Sequence, residues 1–360
     1  MTTAMLAGPE DGWSTSANRP AASPVRPERV VLARYLEPLQ PYLDDPSLTE
    51  VVVNRPGEVF TEGPRGWARH EVLPLTFEHL MHLSVAAAAL NRQDIGPEHP
   101  IVSTMLTGEE RCQIVVPPAV PAGMLSLTIR KAAQRAFTLA AFDEDGSLAD
   151  VRPAGERVED DEKALLALRD KGRWREFLER AVLARRNIVV AGATGSGKTT
   201  LAKALAACIP EDERIITVED TPELVVPQAN QVRLLYAKDG RGLAKVGPRD
   251  LLESCLRMRP DRILLQELRD GTTAFTYLRN VTSGHPGSIT TVHADSALLA
   301  FEQLALLIKQ SEEGRDLSRS DIGRLLDLSV DVVVHMSRRD GRHRVTEVYY
   351  DPLRKRQPYS

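Results

Sequence analysis

The chain has 360 residues, of which 42% are hydrophobic and 27% charged, with a formal net charge of −4. That is a globular profile of about two-domain size, and it excludes collagen-like, disordered and membrane-bundle classes. The acidic surplus argues against free nucleic acid as the main partner, because phosphate binding usually leaves a basic excess.

Residues 1–27 are rich in Ala, Pro and Ser and lack a basic segment followed by an apolar run. They read as a flexible leader, not a secretory signal. Apolar stretches such as 85–90 fall far short of the roughly 20 residues a membrane-spanning helix needs. Membrane association is therefore expected only at the periphery or through partners. Cys112, Cys208 and Cys255 are widely spaced and form no C-x-x-C pair. Zinc ligation and a disulfide framework are both disfavoured, and a reducing compartment fits.

From residue 28 to 141 the pattern predicts an α+β domain with an antiparallel sheet. Residues 48–54 are a β-branched run stopped by Pro56 and Gly57, and 58–61 return across that turn as a hairpin. Residues 77–90 carry Leu, Met and Ala at helical spacing. Residues 111–116 and 124–130 are two further strands around a proline-rich loop. Residues 142–160 read as an exposed linker, and its acidic end reads as a solvated helix start.

Beyond it, Trp174, Phe177, Leu178, Ala181 and Val182 share one helical face, and 187–191 form a buried strand. Strands and helices then alternate to about residue 318, the signature of a mostly parallel sheet covered on both faces. Residues 330–336 and 343–350 close the chain as a hairpin across Asp340 and Gly341. Residues 161–360 are taken as this second domain.

Gly192-Ala-Thr-Gly-Ser-Gly-Lys-Thr199 fits G-x-x-x-x-G-K-[ST] and sits between a strand and an Ala- and Leu-rich helix. That context identifies a phosphate-binding loop. Gly192, Gly195 and Gly197 let backbone N–H groups converge on phosphates, with Ala193, Thr194 and Ser196 between them and Thr200 continuing the helix start. Lys198 supplies a full charge to the β- and γ-phosphates of ATP, and the Thr199 hydroxyl is a magnesium ligand.

Residues 215–220 are an apolar strand ending in Glu219 and Asp220, and such carboxylates can reach magnesium or the attacking water. Residues 262–269 are a second strand ending in Glu267, with Arg269 two positions on. Glu267 is a candidate base for water attack; an ion pair with Arg269 is the plainer reading. Of the two histidines in 283–295, His285 and His293, the second ends a Thr-Thr-Val run where its imidazole can report on a γ-phosphate.

Taken in order, the loop at 192–199, Glu219-Asp220, 256–261 leading into 265–269, and 284–293 resemble the Walker A, Asp box, Walker B and His box of the hexameric secretion ATPases. Residues 274–280, 35–45 and 53–59 look most like the type IV secretion and conjugation branch, and the resemblance spans about 30–355. It implies a RecA-like P-loop NTPase domain behind the N-terminal domain, ATP hydrolysis with Mg²⁺, and a homohexameric ring. Such rings dock on the cytoplasmic face of inner-membrane secretion-channel components and drive transport of protein or DNA, or pilus biogenesis.

By position it also implies that Arg111 and Arg130 of the N-terminal domain reach the phosphates, as Arg269 does from Walker B. Glu219 is carried over as a magnesium-site residue and a rival to Glu267 for the base. The chain departs from the usual pattern at Gln266 and Asp270, where Gly is frequent. Residues 238–248 look like a variable loop. A type II secretion ATPase is disfavoured by the missing four-cysteine zinc module, Pro286-Gly287 in the His box favours the type IV branch over this and a pilus-retraction ATPase, and a nucleotide-bound regulator without turnover is disfavoured by the intact Glu267. A DNA translocase is disfavoured by the net charge.

Overall fold

The computed structural model describes residues 27–132, 138–151, 158–238 and 242–356. The expected leader lies outside the described residues up to its last position, Pro27, which opens helix α1 (Pro27–Leu36). A proline suits that place, because its missing N–H has no partner in a first turn anyway.

The N-terminal domain is a six-stranded antiparallel sheet, ordered β3-β2-β1-β6-β5-β4. Its strands are β1 (Glu50–Val53), β2 (Glu58–Gly63), β3 (Gly66–Glu71), β4 (Ile101–Met105), β5 (Arg111–Val115) and β6 (Ser126–Arg130). Helices α1, α2 (Gln40–Asp44) and α3 (Phe77–Leu90) share a core with it, built on Leu32, Leu80, Leu83, Val51, Ile114 and Ile129. Thr76 caps α3 by accepting the His79 N–H at 3.2 Å, so the predicted helix begins at a proper N-cap. The expected hairpin and the β5–β6 pair are present. Edge strands β3 and β4 go beyond the sequence expectation. β3 is largely exposed and charged, and β4 is only five residues long, so neither carries the apolar run that marks a strand in sequence.

A short helix, α4 (Leu139–Glu144), capped by Thr138 and burying none of its residues, runs across the start of the expected linker at 142, whose residues 152–157 lie outside the described residues. The acidic run then opens α5 (Asp160–Asp170) with a capping box between Glu159 and Glu162. It is not wholly solvated as expected: Glu162 is buried and takes Arg356 at 2.6 Å and Arg186 at 3.7 Å.

The C-terminal sheet has seven strands in the order β13-β12-β7-β11-β10-β8-β9. They are β7 (Ile188–Gly192), β8 (Ile215–Glu219), β9 (Gln231–Leu235), β10 (Arg262–Leu265), β11 (Ile289–Val292), β12 (Val332–Arg339) and β13 (Arg342–Tyr350). All pairs are parallel except β12–β13. Both faces are covered. Ile188, Val190, Leu264 and Val334 pack with Leu165 of α5, Phe177 of α6 (Trp174–Leu183) and Ala202 of α7 (Lys198–Ala206). Val189, Ala191, Ile263, Leu265 and Val333 pack on the other side. Their neighbours there are α8 (Pro248–Cys255), α9 (Gly271–Thr282), α10 (Ala297–Gln310) and α11 (Arg319–Ser329). This alternation explains why these strands read as unbroken apolar runs.

The N-terminal domain packs against the β9 edge. Leu235 N donates to Ala119 O at 2.8 Å, Gln113 Nε2 to Ser254 Oγ at 2.9 Å, and Arg214 Nη1 to Asn54 Oδ1 at 2.7 Å.

Candidate functional site

The phosphate loop leaves the C-terminal end of β7 and runs into α7, whose N-cap is Gly197 at φ 99°. Gly192 is required by contact as well as by conformation. A Cβ there would lie 2.4 Å from the Met336 carbonyl oxygen, a backbone atom that cannot rotate away. Ala193, Thr194 and Gly195 are exposed at the loop's tip, and Ser196 and Lys198 are buried. Lys198 Nζ donates to Gly192 O at 2.9 Å and Ala193 O at 3.0 Å. Burial lowers its pKa while Glu267 opposes that effect.

The strand ends beside this loop assemble a continuous polar chain. His293, just after β11, has Nδ1 at 3.3 Å from Lys198 Nζ and Nε2 at 2.6 Å from Glu267 Oε1. An ammonium only donates, so Nδ1 accepts and the ring proton sits on Nε2, facing the carboxylate. Arg269 Nε and Nη2 reach Glu267 Oε2 at 2.8 and 2.7 Å, and its Nη1 pairs with Asp220. Burial works against the Arg269 charge, but the two carboxylates outweigh it and hold its pKa above the ordinary value. Lys198, His293, Glu267, Arg269 and Asp220 thus form one charge-alternating relay beside the loop.

Glu219 does not join it. Its carboxylate is fully buried. Oε2 accepts the Glu223 and Leu224 N–H groups at 2.7 Å each, and Oε1 accepts the Thr217 hydroxyl at 2.7 Å. Its place is to fix the loop after β8. Successive side chains of a strand point to opposite faces, so Asp220 is the member of the pair that meets Arg269.

The departures at Gln266 and Asp270 have local reasons. Gln266 Oε1 accepts the Asp220 N–H at 3.0 Å, tying the two acid-ended strands together. Asp270 caps α9 by accepting the Thr273 N–H at 2.8 Å. His285 turns away from the relay. Its pKa is lowered by burial, and its neighbours are Pro260, Arg259 and Asp261, before β10.

Arg111 and Arg130 face each other across β5 and β6, and Arg130 Nε lies 3.6 Å from Glu50 Oε1. Glu50 is paired in register with Glu62, which is bridged to Arg259 ahead of β10. These arginines therefore lie near the N-terminal end of the parallel strands, whereas the phosphate loop follows the C-terminal end. One chain does not bring them to the loop.

Three residues at the site carried no sequence signal. Tyr236, just after β9, has its phenol pushed up to about 12 by burial, with Asp220 adding to the effect. His343 Nδ1 lies 3.0 Å from Ser196 O, and Met336 Cε comes within 3.2 Å of a Cβ built on Gly197. Only the strand order puts the end of β9 and the β12–β13 hairpin beside this loop.

Residues 161–348 match the family model described as Type II/IV secretion system protein. The type IV secretion system protein VirB11 of Bartonella quintana is 51% identical over 338 residues, covering 91% of this chain and 94% of its own. The VirB11 protein of Brucella suis biovar 1 is 49% identical, covering 89% and 91%. Protein VirB11 of Agrobacterium tumefaciens is 41% identical, covering 87% and 92%. The crystal structure of the VirB11 ATPase from the Brucella suis type IV secretion system, in complex with sulphate, superposes with a TM-score of 0.87. It is 47% identical and covers 91% of this chain and 97% of that one.

Proposed function

The chain belongs to the VirB11 family of type IV secretion system ATPases, and from that premise we propose that it works as a homohexameric ring hydrolysing ATP through the relay beside its phosphate loop. The observation that carries the mechanism is the unbroken contact from Lys198 through His293 to Glu267, Arg269 and Asp220. Backbone N–H groups of 195–199 hold the phosphates, helped by the start of α7. Lys198, whose ammonium already lies against the loop carbonyls, neutralises phosphate charge. Glu267 orients and deprotonates the attacking water. His293 touches both Lys198 and Glu267, so it senses whether phosphate is bound and passes that state to the acid. Arg269 holds Glu267 in place and stabilises negative charge that builds on the departing phosphate.

Magnesium fits this donor set. The ion needs only one or two protein oxygens when phosphates and water complete its shell, and Thr199 stands half-buried at the start of α7. When bound, Mg²⁺ would neutralise charge on the β- and γ-oxygens. Glu219, fully buried and held by Thr217 and two backbone N–H groups of its own loop, is left in a structural role.

Arg111 and Arg130 can contribute only from a neighbouring subunit, which makes the ring part of the active site. Mixing Arg111→Ala, Arg130→Ala subunits with Lys198→Ala subunits tests this. Recovered turnover in the mixture supports a contribution across the boundary, and unimpaired turnover by the double arginine variant alone refutes it.

No helix among the described residues is long and apolar enough to cross a membrane, which suits a ring held peripherally at the cytoplasmic face of the inner membrane by channel partners. Transport of protein or DNA substrate, conjugation included, is the work we assign to it. The test is native mass with ATP and Mg²⁺, together with turnover. A six-subunit species whose hydrolysis is lost in Lys198→Ala supports the proposal, and a monomer at micromolar concentration refutes it.

A further inference from the structure

The relay occupies only one side of the phosphate loop. In the strand order β13-β12-β7-β11-β10-β8-β9, the loop follows β7, and His293, Glu267 and Asp220 follow β11, β10 and β8. A triphosphate whose γ end meets those groups points its nucleoside end across β7, towards β12 and β13. That side is not bare. Met336 O stands where a Cβ on Gly192 would be, and Met336 Cε and the His343 ring both crowd Gly197. His343 Nδ1 lies 3.0 Å from Ser196 O. A carbonyl only accepts, so Nδ1 donates there, which leaves Nε2 as the ring nitrogen with no hydrogen bond among the described residues.

The register adds a second group. Arg338 pairs directly with His343, and Met336 with Val345. Cross-strand partners share a face, and residues two apart on a strand share one too. Arg338 therefore stands on the face that Met336 and His343 present to the phosphate loop. It is exposed, and no side chain among the described residues holds it in an ion pair or hydrogen bond. Arg339 and Arg342 pair with each other on the opposite face.

We propose that the terminal hairpin supplies the nucleoside-binding wall of the site, with Arg338 as a stacking platform for the base and His343 as the group that fixes the loop and offers Nε2 to the nucleoside. This rests on the ATPase reading and adds the nucleoside half of the substrate to it. A guanidinium is planar and weakly hydrated, and it stacks on nucleobases without demanding one base edge. A free arginine beside a loop that binds only phosphates is the geometry such recognition needs.

The experiment compares two probes by calorimetry, ATP and inorganic tripolyphosphate, which shares the phosphates and lacks the nucleoside. Arg338→Ala is expected to weaken ATP by about three- to thirtyfold, the range of a cation–π or stacking contact at a partly exposed site, and to leave tripolyphosphate unchanged. In turnover it should raise KM and spare kcat. Arg342→Ala removes the same charge from the opposite face and should change neither ligand. Unchanged ATP affinity in Arg338→Ala overturns the proposal. So does an equal loss for both probes, or an equal loss in Arg342→Ala, because either makes the hairpin a general attractor of anions. Failure of the underlying reading looks different: Lys198→Ala would then bind both probes as tightly as wild type.

Discussion

Exchanging Glu219 and Glu267, in turn, for Gln separates two carboxylates that share a strand-end position but not an environment. Glu219 accepts three hydrogen bonds inside the fold, two from backbone N–H groups and one from Thr217. Arg233 Nε stands 4.0 Å away. Hydrogen bonds to a charged group contribute about 1.5–3 kcal/mol, against about 1 kcal/mol for neutral ones. An amide keeps an oxygen for the two N–H donors but turns its NH₂ towards the threonine. Weakening the set in this way costs about 2 kcal/mol, which in a domain of this size lowers Tm by about 4–8 °C. Glu219→Gln should therefore melt early while its kcat, measured well below the transition, stays within about threefold of wild type. Glu267 lies at the loop, between His293 and Arg269. Glu267→Gln should bind ATP, shift Tm less than Glu219→Gln does, and lose about 10²–10⁴ in turnover, the usual contribution of a positioned base. Scanning calorimetry at one protein concentration and a phosphate-release assay read both variants. If Glu219→Gln melts like wild type yet is inactive, while Glu267→Gln turns over normally, the roles are reversed and the reasoning from burial is wrong.

Glu50 should make the stability pH-dependent near neutrality. Burial pushes its pKa from 4.5 up to about 7, against the lowering effect of Arg130. The native state then holds a proton that the unfolded chain gives up, so stability is full below pH 4.5 and falls as pH rises through 7, by about 3 kcal/mol. Glu50→Gln should flatten that decline and be the more stable protein at pH 8, as urea melts at pH 5 and 8 would reveal; parallel pH profiles would contradict it. Gly271→Ala places a Cβ 2.1 Å from Leu307 O and 2.8 Å from Ser311 N, so α9 must move off α10. A loss of about 1–3 kcal/mol is expected from such overpacking, and an unchanged urea midpoint would show that the two helices have slack.

What could be read from the chain in advance was what is local. The phosphate loop is eight consecutive residues, and α3 and the β12–β13 hairpin announce themselves through apolar spacing and Asp340-Gly341, whose φ values of 51° and 74° fit a tight hairpin turn. What stayed hidden depends on which strands are neighbours. Parallel strands buried on both faces are uniformly apolar and carry no mark of their partners. Strand alternation says that Glu219 and Asp220 point opposite ways, but only the β10–β8 pairing says which of them meets Arg269. That pairing also gives Gln266 its use. A residue notable in sequence only as a departure becomes the acceptor for the Asp220 N–H, so it spaces two acids that lie far apart in the chain. The same logic covers Arg111 and Arg130. Their residue type suits phosphate and their strands form as expected, yet Glu62 and Arg259 anchor that end of the domain near the start of β10. The phosphate loop lies beyond the other end of the sheet, so the distance between them is set by topology, which neither residue type nor strand pattern reveals.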